Sequence, residues 1–346
     1  MSQPTITHVL RAPIVGGSEL ETLAITSNVP GFDHRVVFPS RFESWQPSIR
    51  EQFDVPVAAV PDLQAFLDDL RTDIVHLQFP FLLVAQPVGH DSVLELLRLP
   101  PLPAVFTVHA AVNVPIAPDI HYVFHTHELS SRFRDLIPSE RRSVCPSLVA
   151  PSTGSSAAPS TGPRRTKQGE TCVVLWVSRN EDAKFHPDLA AIVEQALAAE
   201  PSLRFHFVGT SNLVRLPADP RITCTPCPAP DLEAAWTTAD VFWHFPHPRL
   251  EETWCRTVTE AMSHGIPCVV AGHGAMQHQV QDGRNGRVAH TPQACADALI
   301  ELARLPAAQR RRMSQANRSR AAAFADDSIR HWQSLYRRLS GGLGPH

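Results

Sequence analysis

The stretch EETWCRTVTEAMSHGIPCVV, residues 251–270, decides the fold. Its second half, GIPCVV, is a turn glycine followed by a short apolar run, the pattern of a strand buried on both faces. Before it, Val258, Ala261 and Met262 recur at helical spacing. The expectation is a helix starting near Trp254 and ending before Gly265, a residue type suited to the left-handed conformation past a helix C-terminus. A helix feeding a buried strand is one αβ unit of a parallel sheet. Glu252 and Glu260 bracket the start of this unit. Along a helix, eight residues cover ~12 Å. Two readings fit: a dipole cap plus a surface charge, or a ligand long enough to meet both carboxylates.

The same alternation runs outward in both directions. Upstream, TCVVLWVS (171–178), RFHFVG (204–209) and DVFWHF (240–245) read as strands, with helices at 187–199 and 231–239. Downstream, two helices are expected, at 291–305 and about 307–338. The first half repeats the pattern with strands in ITHVLRA (6–12), RVVFP (35–39), VPVAAV (55–60), DIVHLQF (73–79), PAVFTVH (103–109) and HYVFHT (121–126). Between them lie helical patterns at 62–71 and 91–99, and a helix opened by GGSE (16–19) with Ser18 as its N-cap. The expected fold class is α/β, with two doubly wound parallel sheets in two Rossmann-like domains facing a cleft. Residues 151–169, rich in Ser, Pro, Gly and Thr without apolar period, read as a linker. The expected domains are 1–150, with the last helix (about 325–346) packing back onto it, and 170–324.

Composition bounds the function. The chain has 346 residues, 43% of them hydrophobic, enough for two cores. A net charge of −3 gives no reason to expect nucleic acid as partner. No apolar run is long enough to span a bilayer, and the N-terminus lacks the basic and apolar regions of a secretory signal. Seven cysteines, an odd number, favour reduced thiols in a cytoplasm over a disulfide framework. No strand leads into G-x-G-x-x-G, which argues against a nicotinamide-dependent oxidoreductase.

Arg179 and Lys184, in SRNEDAK after the second half's first strand, are either solvated loop charges or a pair that holds an anion at the sheet's switch point. CTPC (224–227) and HFPH (244–247) have a superficial zinc-ligand look. The histidine spacing is short and the set spans a helix and a strand, so they are read as inert thiols and a polar strand end. HTHE (125–128) is read as a strand end running into a helix N-terminus; a metal ligand set or an acceptor contact are the alternatives. His76 and Gln78, ending a strand, carry the same ambiguity. The basic run RRMSQANRSR (311–320) is read as a solvated helix face.

Taken together, five motifs resemble the retaining GT-B-fold glycosyltransferases of family four, the glycogen-synthase-like and sucrose-synthase-like class. These are ETWCRTVTEAMSHGIPCVV, SRNEDAK, DGRNG (282–286), GGSE and FTVHA (106–110), in the family's order over nearly the whole chain. The resemblance implies a hexosyltransferase-like enzyme that uses a nucleotide-sugar donor, UDP- or GDP-linked, with no cofactor and no metal. It implies that Arg179 and Lys184 hold the diphosphate, Glu260 the ribose and Glu252 the transferred sugar. His109 would lie by the reacting sugar, and Gly16 and Gly17 would let the backbone approach the ligand. Gly209 and the residues between the glutamates, Thr253, Trp254, Cys255 and Arg256, complete the implied donor site. Gln78, His109 and His125 are the implied acceptor side. The acceptor is expected to be a small soluble molecule, with hydroxyl, amine and thiol nucleophiles all open, in specialised metabolism. A homo-oligomer is compatible with this, as are a non-catalytic sugar-nucleotide binder, a nucleotide-sugar isomerase or a phosphorylase on the same scaffold. Cys255 stands where the family has a small residue, and GAMQH (274–278) keeps only the glycine of the family's G-G-x-P-E.

Overall fold

The structure is a computed structural model that describes residues 3–10, 16–40, 49–78, 101–109, 114, 116–150, 171–210, 216–226 and 232–341. The expected helix at 91–99, the linker at 151–169 and Cys227 lie outside the described residues. The chain divides into two compact units, Met1–Ala150 with Phe324–His346, and Pro151–Ala323.

The first unit is built on seven strands: β1 (Thr5–Val9), β2 (Asp33–Pro39), β3 (Val57–Val60), β4 (Ile74–Leu77), β5 (Ala104–Thr107), β6 (Ile120–Phe124) and β7 (Arg142–Val144). They form one parallel sheet in the order β3-β2-β1-β4-β5-β6-β7. β4, β5 and β6 are buried along their whole length, which is why they read as continuous apolar runs. Ile6, Ala24, Ile25, Val105 and Val123 pack with Trp332, Leu335 and Tyr336 from the end of the last helix, Ala307–Gly341.

The second unit carries six strands: β8 (Cys172–Val177), β9 (Leu203–Val208), β10 (Ile222–Thr225), β11 (Val241–His244), β12 (Cys268–Ala271) and β13 (Gly286–Ala289). Their order is β10-β9-β8-β11-β12-β13, again all parallel. Its centre is aromatic: the Trp243 ring stands edge-on to Trp176, with centroids 5.0 Å apart, and to Phe205, at 5.7 Å. Trp243 Nε1 donates to Cys295 Sγ at 3.0 Å, so the indole N–H is not left unpaired in the core. The turn DGRNG is pinned by paired amides: Asn285 Nδ2 donates to Asn317 Oδ1 at 3.0 Å, and Asn317 Nδ2 to Asn285 O at 2.8 Å.

Both sheets are therefore doubly wound and parallel, as the alternation implied. Each reverses its winding at one place, between β1 and β4 in the first and between β8 and β11 in the second, the position at which sheets of this kind bind ligands. Three strands escaped the sequence pattern. β7 is three residues long, β10 is a half-exposed edge strand, and β13 follows directly on the DGRNG turn. Ser18 does not cap the first helix, Gly17–Asn28; Gly16 does, and the Ser18 hydroxyl donates instead to Glu19 Oε2 at 2.8 Å. Among the described residues no helix is long and apolar enough to cross a membrane.

Candidate functional site

The second sheet's switch point is flanked by the loops that leave β8 and β11. Lys184 closes a single 3-10 turn, Asp182–Lys184, in the first loop. Glu252 lies in the second. Lys184 Nζ donates to Glu252 Oε1 at 2.6 Å, with both side chains largely buried. His244, the last residue of β11, brings Nε2 to 3.5 Å from the same oxygen. Burial opposes ionisation of Glu252, but His244 and Lys184 outweigh it and hold the carboxyl down at about 2. Burial likewise works against a charged His244, while Cys255 and Glu252 overcome it and raise the imidazole to about 9. Glu252 is thus an ionised carboxylate between two cations.

The helix expected from Trp254 starts later, at Arg256, and runs to Ser263. Glu252 to Cys255 is loop, so the two glutamates are not separated by a helical rise over all eight residues. The reason is a buried glutamine that the motif reading passed over. Gln279 Oε1 accepts from Cys255 N at 3.2 Å, while its amide donates to Cys255 O and to Thr259 Oγ1, both at 2.8 Å. Trp254 Nε1 donates to Thr259 Oγ1 at 3.1 Å. These bonds hold Cys255 in the extended form and serve its backbone donor just before the helix. At the other end, Gly265 takes φ +75°, as expected of a residue past a helix C-terminus.

Gly274 explains why one glycine of its motif is kept. It has φ +63°, and a Cβ there would lie 3.0 Å from Glu252 O and 3.2 Å from Glu252 N. Ala275 N donates to Glu252 O at 2.8 Å. The backbone of Glu252 is thereby seated against residues 274–275.

Glu260 is half-buried on the helix Arg256–Ser263. Among the described residues its main-chain oxygen takes hydrogen bonds from Ser263 Oγ at 2.7 Å and the His264 ring, and its carboxylate takes none. Arg179 is exposed, with Nη1 3.3 Å from Glu181, so it and Lys184 face different carboxylates. Gly209, with φ +89°, directly follows β9. Thr253, Trp254 and Cys255 are buried and Arg256 is half-buried. Cys224 is exposed at the edge of the sheet, while His244 belongs to the Glu252 cluster. The HFPH segment thus contributes its first histidine to the candidate site, a role that a polar strand end did not suggest.

In the first unit, Gln78, His109 and His125 follow β4, β5 and β6 and form one polar network. His109 Nε2 meets Gln78 Oε1 at 2.8 Å, and Gln78 Nε2 reaches His76 Nε2 at 3.2 Å. His76 also bonds Thr107 Oγ1 and Tyr336 OH, both at 2.7 Å. Burial, aided by His34, pushes His76 down to about 3, so its ring is neutral. Glu21, on the first helix, lies 3.4 Å from His125 Nε2 and 3.8 Å from His109 Nδ1. The sequence reading passed over Glu21; its polarity inside an otherwise buried helix turn is the available signal. Gly16 is buried, and a Cβ there would collide with the Glu19 carboxylate; Gly17 is exposed at the helix start.

Residues 171–304 match the family described as glycosyl transferases group 1. Among curated proteins none matches the chain. HepE from Anabaena, solved with UDP and glucose, superposes with a TM-score of 0.72 at 16% identity, covering 98% of this chain and 100% of its own. Sucrose-phosphate synthase from Thermosynechococcus elongatus gives a TM-score of 0.68 at 13% identity, covering 99% and 100%. WaaG, a glycosyltransferase of lipopolysaccharide biosynthesis, gives 0.67 at 15%, covering 97% and 100%. These likenesses establish the GT-B fold, and the family match marks a glycosyltransferase domain.

Proposed function

We propose, from the premise that residues 171–304 are a group 1 glycosyltransferase domain in a chain of GT-B fold, that this enzyme transfers a sugar from a nucleoside diphosphate sugar to a small acceptor with retention of anomeric configuration. The observation that carries the proposal is the meeting of Lys184 and Glu252 across the switch point of the donor sheet. A cation and a hydrogen-bond acceptor stand side by side there, one suited to a diphosphate and the other to sugar hydroxyls. Glu260, with its carboxylate uncommitted among the described residues, suits the paired hydroxyls of a ribose. The Anabaena neighbour, solved with UDP and glucose, supports a UDP-linked donor over a GDP-linked one.

In this mechanism Lys184 and Arg179, rather than a metal ion at the diphosphate, offset the charge that grows on the leaving phosphate. The departing diphosphate stays on the face that the acceptor attacks and takes the acceptor's proton. No protein base is then required. Gly209 and the segment Thr253 to Arg256 line the donor, with the backbone donors at the start of the helix Arg256–Ser263 facing phosphate. Gln78, His109 and His125 of the first unit serve the acceptor side. Both His109 ring nitrogens face polar groups, Gln78 and Glu21, so its main-chain carbonyl is the atom assigned to the charge developing on the sugar. A small soluble acceptor in specialised metabolism, in a cytoplasmic setting, is the reading adopted.

The test is product analysis. The protein is incubated with UDP- and GDP-sugars and a panel of hydroxyl, amine and thiol acceptors, and products are assigned by NMR. An α-glycoside from an α-linked donor supports the proposal. An inverted glycoside, a rearranged nucleotide sugar or a sugar phosphate contradicts it.

A further inference from the structure

One cluster in the first unit has ligand chemistry beyond the acceptor-side role given to His109 and His125. Glu21, His109 and His125 offer one carboxylate oxygen and two imidazole nitrogens, all within 4.8 Å of one another. Glu21 and His125 are buried, and His109 keeps a side-chain exposure of 12%, which leaves a way in.

The hydrogen bonds around the cluster fix which atoms face inward. His125 Nδ1 lies 3.0 Å from the main-chain oxygen of Cys145. A carbonyl can only accept, so Nδ1 carries the hydrogen, and in the neutral ring Nε2 presents a lone pair. That lone pair is aimed at Glu21 Oε2, 3.4 Å away. His109 repeats the arrangement. Its Nε2 faces Gln78 Oε1 at 2.8 Å, and Gln78 is oriented by its own amide, which donates to His76. Nε2 of His109 therefore carries the hydrogen, and its Nδ1 lone pair faces Glu21 Oε2 at 3.8 Å. Glu21 Oε1 is itself held by Leu148 N at 3.3 Å, whereas Oε2 is buried and accepts no hydrogen bond among the described residues. In that tautomeric state two imidazole nitrogens and a carboxylate oxygen converge in a buried place, an arrangement that a proton or a metal ion among them would relieve.

We infer that Glu21, His109 and His125 form a binding site for a divalent cation of the zinc class. Zinc bonds of ~2.0–2.1 Å in tetrahedral geometry set ligand atoms roughly 3.3–3.4 Å apart. The 3.4 Å separation already has that value and the 3.8 Å one needs a small closure. Each of the three side chains is already held from its far side by a hydrogen bond: to Cys145 O for His125, to Gln78 Oε1 for His109 and from Leu148 N for Glu21. Two imidazoles and one carboxylate suit zinc or its first-row neighbours, and three protein ligands leave a position for water. A second cluster of metal-ligating residues, His244, Glu252 and Cys255, lies in the donor unit. There Lys184 sits 2.6 Å from the carboxylate and already supplies the cation. The inference rests on the first unit alone and does not depend on the donor reading.

The test uses the full chain, purified without a histidine tag and stripped by chelator, and reads metal content and spectra rather than activity. After equilibration with Zn2+ and gel filtration, one zinc per chain is expected. Glu21→Gln and His125→Phe should lower zinc affinity by at least about tenfold, while His244→Leu should leave it unchanged. Because a buried substitution can impair folding, Co2+ loaded into the unaltered protein gives the independent reading. Visible bands of a four- or five-coordinate ion without a thiolate-to-cobalt charge-transfer band are expected. A thiolate band would assign the metal to the Cys255 cluster and overturn the inference. So would retention of no metal, or zinc binding indifferent to Glu21→Gln in a folded variant.

Discussion

Lys184 and Glu252, 68 residues apart in sequence, share a 2.6 Å ion pair at the switch point of the donor sheet. Removing the cation affects both the diphosphate and the carboxylate that it steadies. Lys184→Ala is expected to lower turnover by about 100-fold or more, in the range seen when one electrostatic donor to a developing oxyanion is lost. Steady-state kinetics checks this. Lys184→Arg should recover only part, because a planar fork does not reproduce a point charge on one oxygen.

Glu260 should separate from Glu252 in its phenotype. Its carboxylate has no partner among the described residues, so Glu260→Gln is expected to change stability by no more than about 0.5 kcal/mol. Donor KM should rise about tenfold, the loss of a charge-assisted hydrogen bond to a hydroxyl pair. Paired denaturation and kinetic measurements read the two effects. A large loss of stability would place the carboxylate in a structural role instead.

Gln279 and Gly274 act on Glu252 and Cys255 through the backbone. Gln279→Leu leaves the buried Cys255 N–H without its partner, removes one of the donors to Cys255 O and should cost about 2 kcal/mol. Gly274→Ala adds a Cβ at φ +63° against the Glu252 main chain and should cost about 1–3 kcal/mol. Urea denaturation followed by circular dichroism measures both.

His76, His121 and His331 of the first unit and His244 of the second should respond to pH with opposite signs. Burial, with like-charged neighbours, pushes His76 down to about 3 and His121 and His331 to about 4 in the first unit. Groups with depressed folded values favour the unfolded state as pH falls below their ordinary value near 6.5. At pH 5, His76 alone would cost about 2 kcal/mol. In the second unit His244 is raised to about 9. Its contribution is complete below pH 6.5 and is lost as pH rises toward 9. Hydrogen exchange resolved by peptide should show first-unit protection falling from pH 7 to 5 and second-unit protection falling from pH 7 to 9, after correction for intrinsic exchange rates.

Much of the fold was legible because the parallel strands are buried on both faces and write themselves as apolar runs between amphipathic helices. β10 was not, since its edge position leaves Thr223 and Cys224 exposed. The start of the helix Arg256–Ser263 was misplaced by two residues because the force that sets it, Gln279, comes from a different element. Motif spacing drew attention to Lys184 and Glu252, which the structure brings into contact. Glu21 is passed over, and His244 is noticed only within HFPH and read as a polar strand end. Each is a polar residue in an element otherwise read as packing, and its role depends on neighbours distant in sequence. Tautomers set by Cys145 O and Gln78 are likewise beyond any linear pattern.

The central claim is that the second unit binds a nucleoside diphosphate sugar through Lys184 and Glu260. Isothermal titration of the full chain with UDP, GDP and their sugar conjugates tests it most directly. One nucleoside series should bind, and Lys184→Ala and Glu260→Ala should each weaken it at least about tenfold, or 1.4 kcal/mol. Binding of none of these nucleotides by the folded protein, or binding indifferent to both substitutions, would contradict the account.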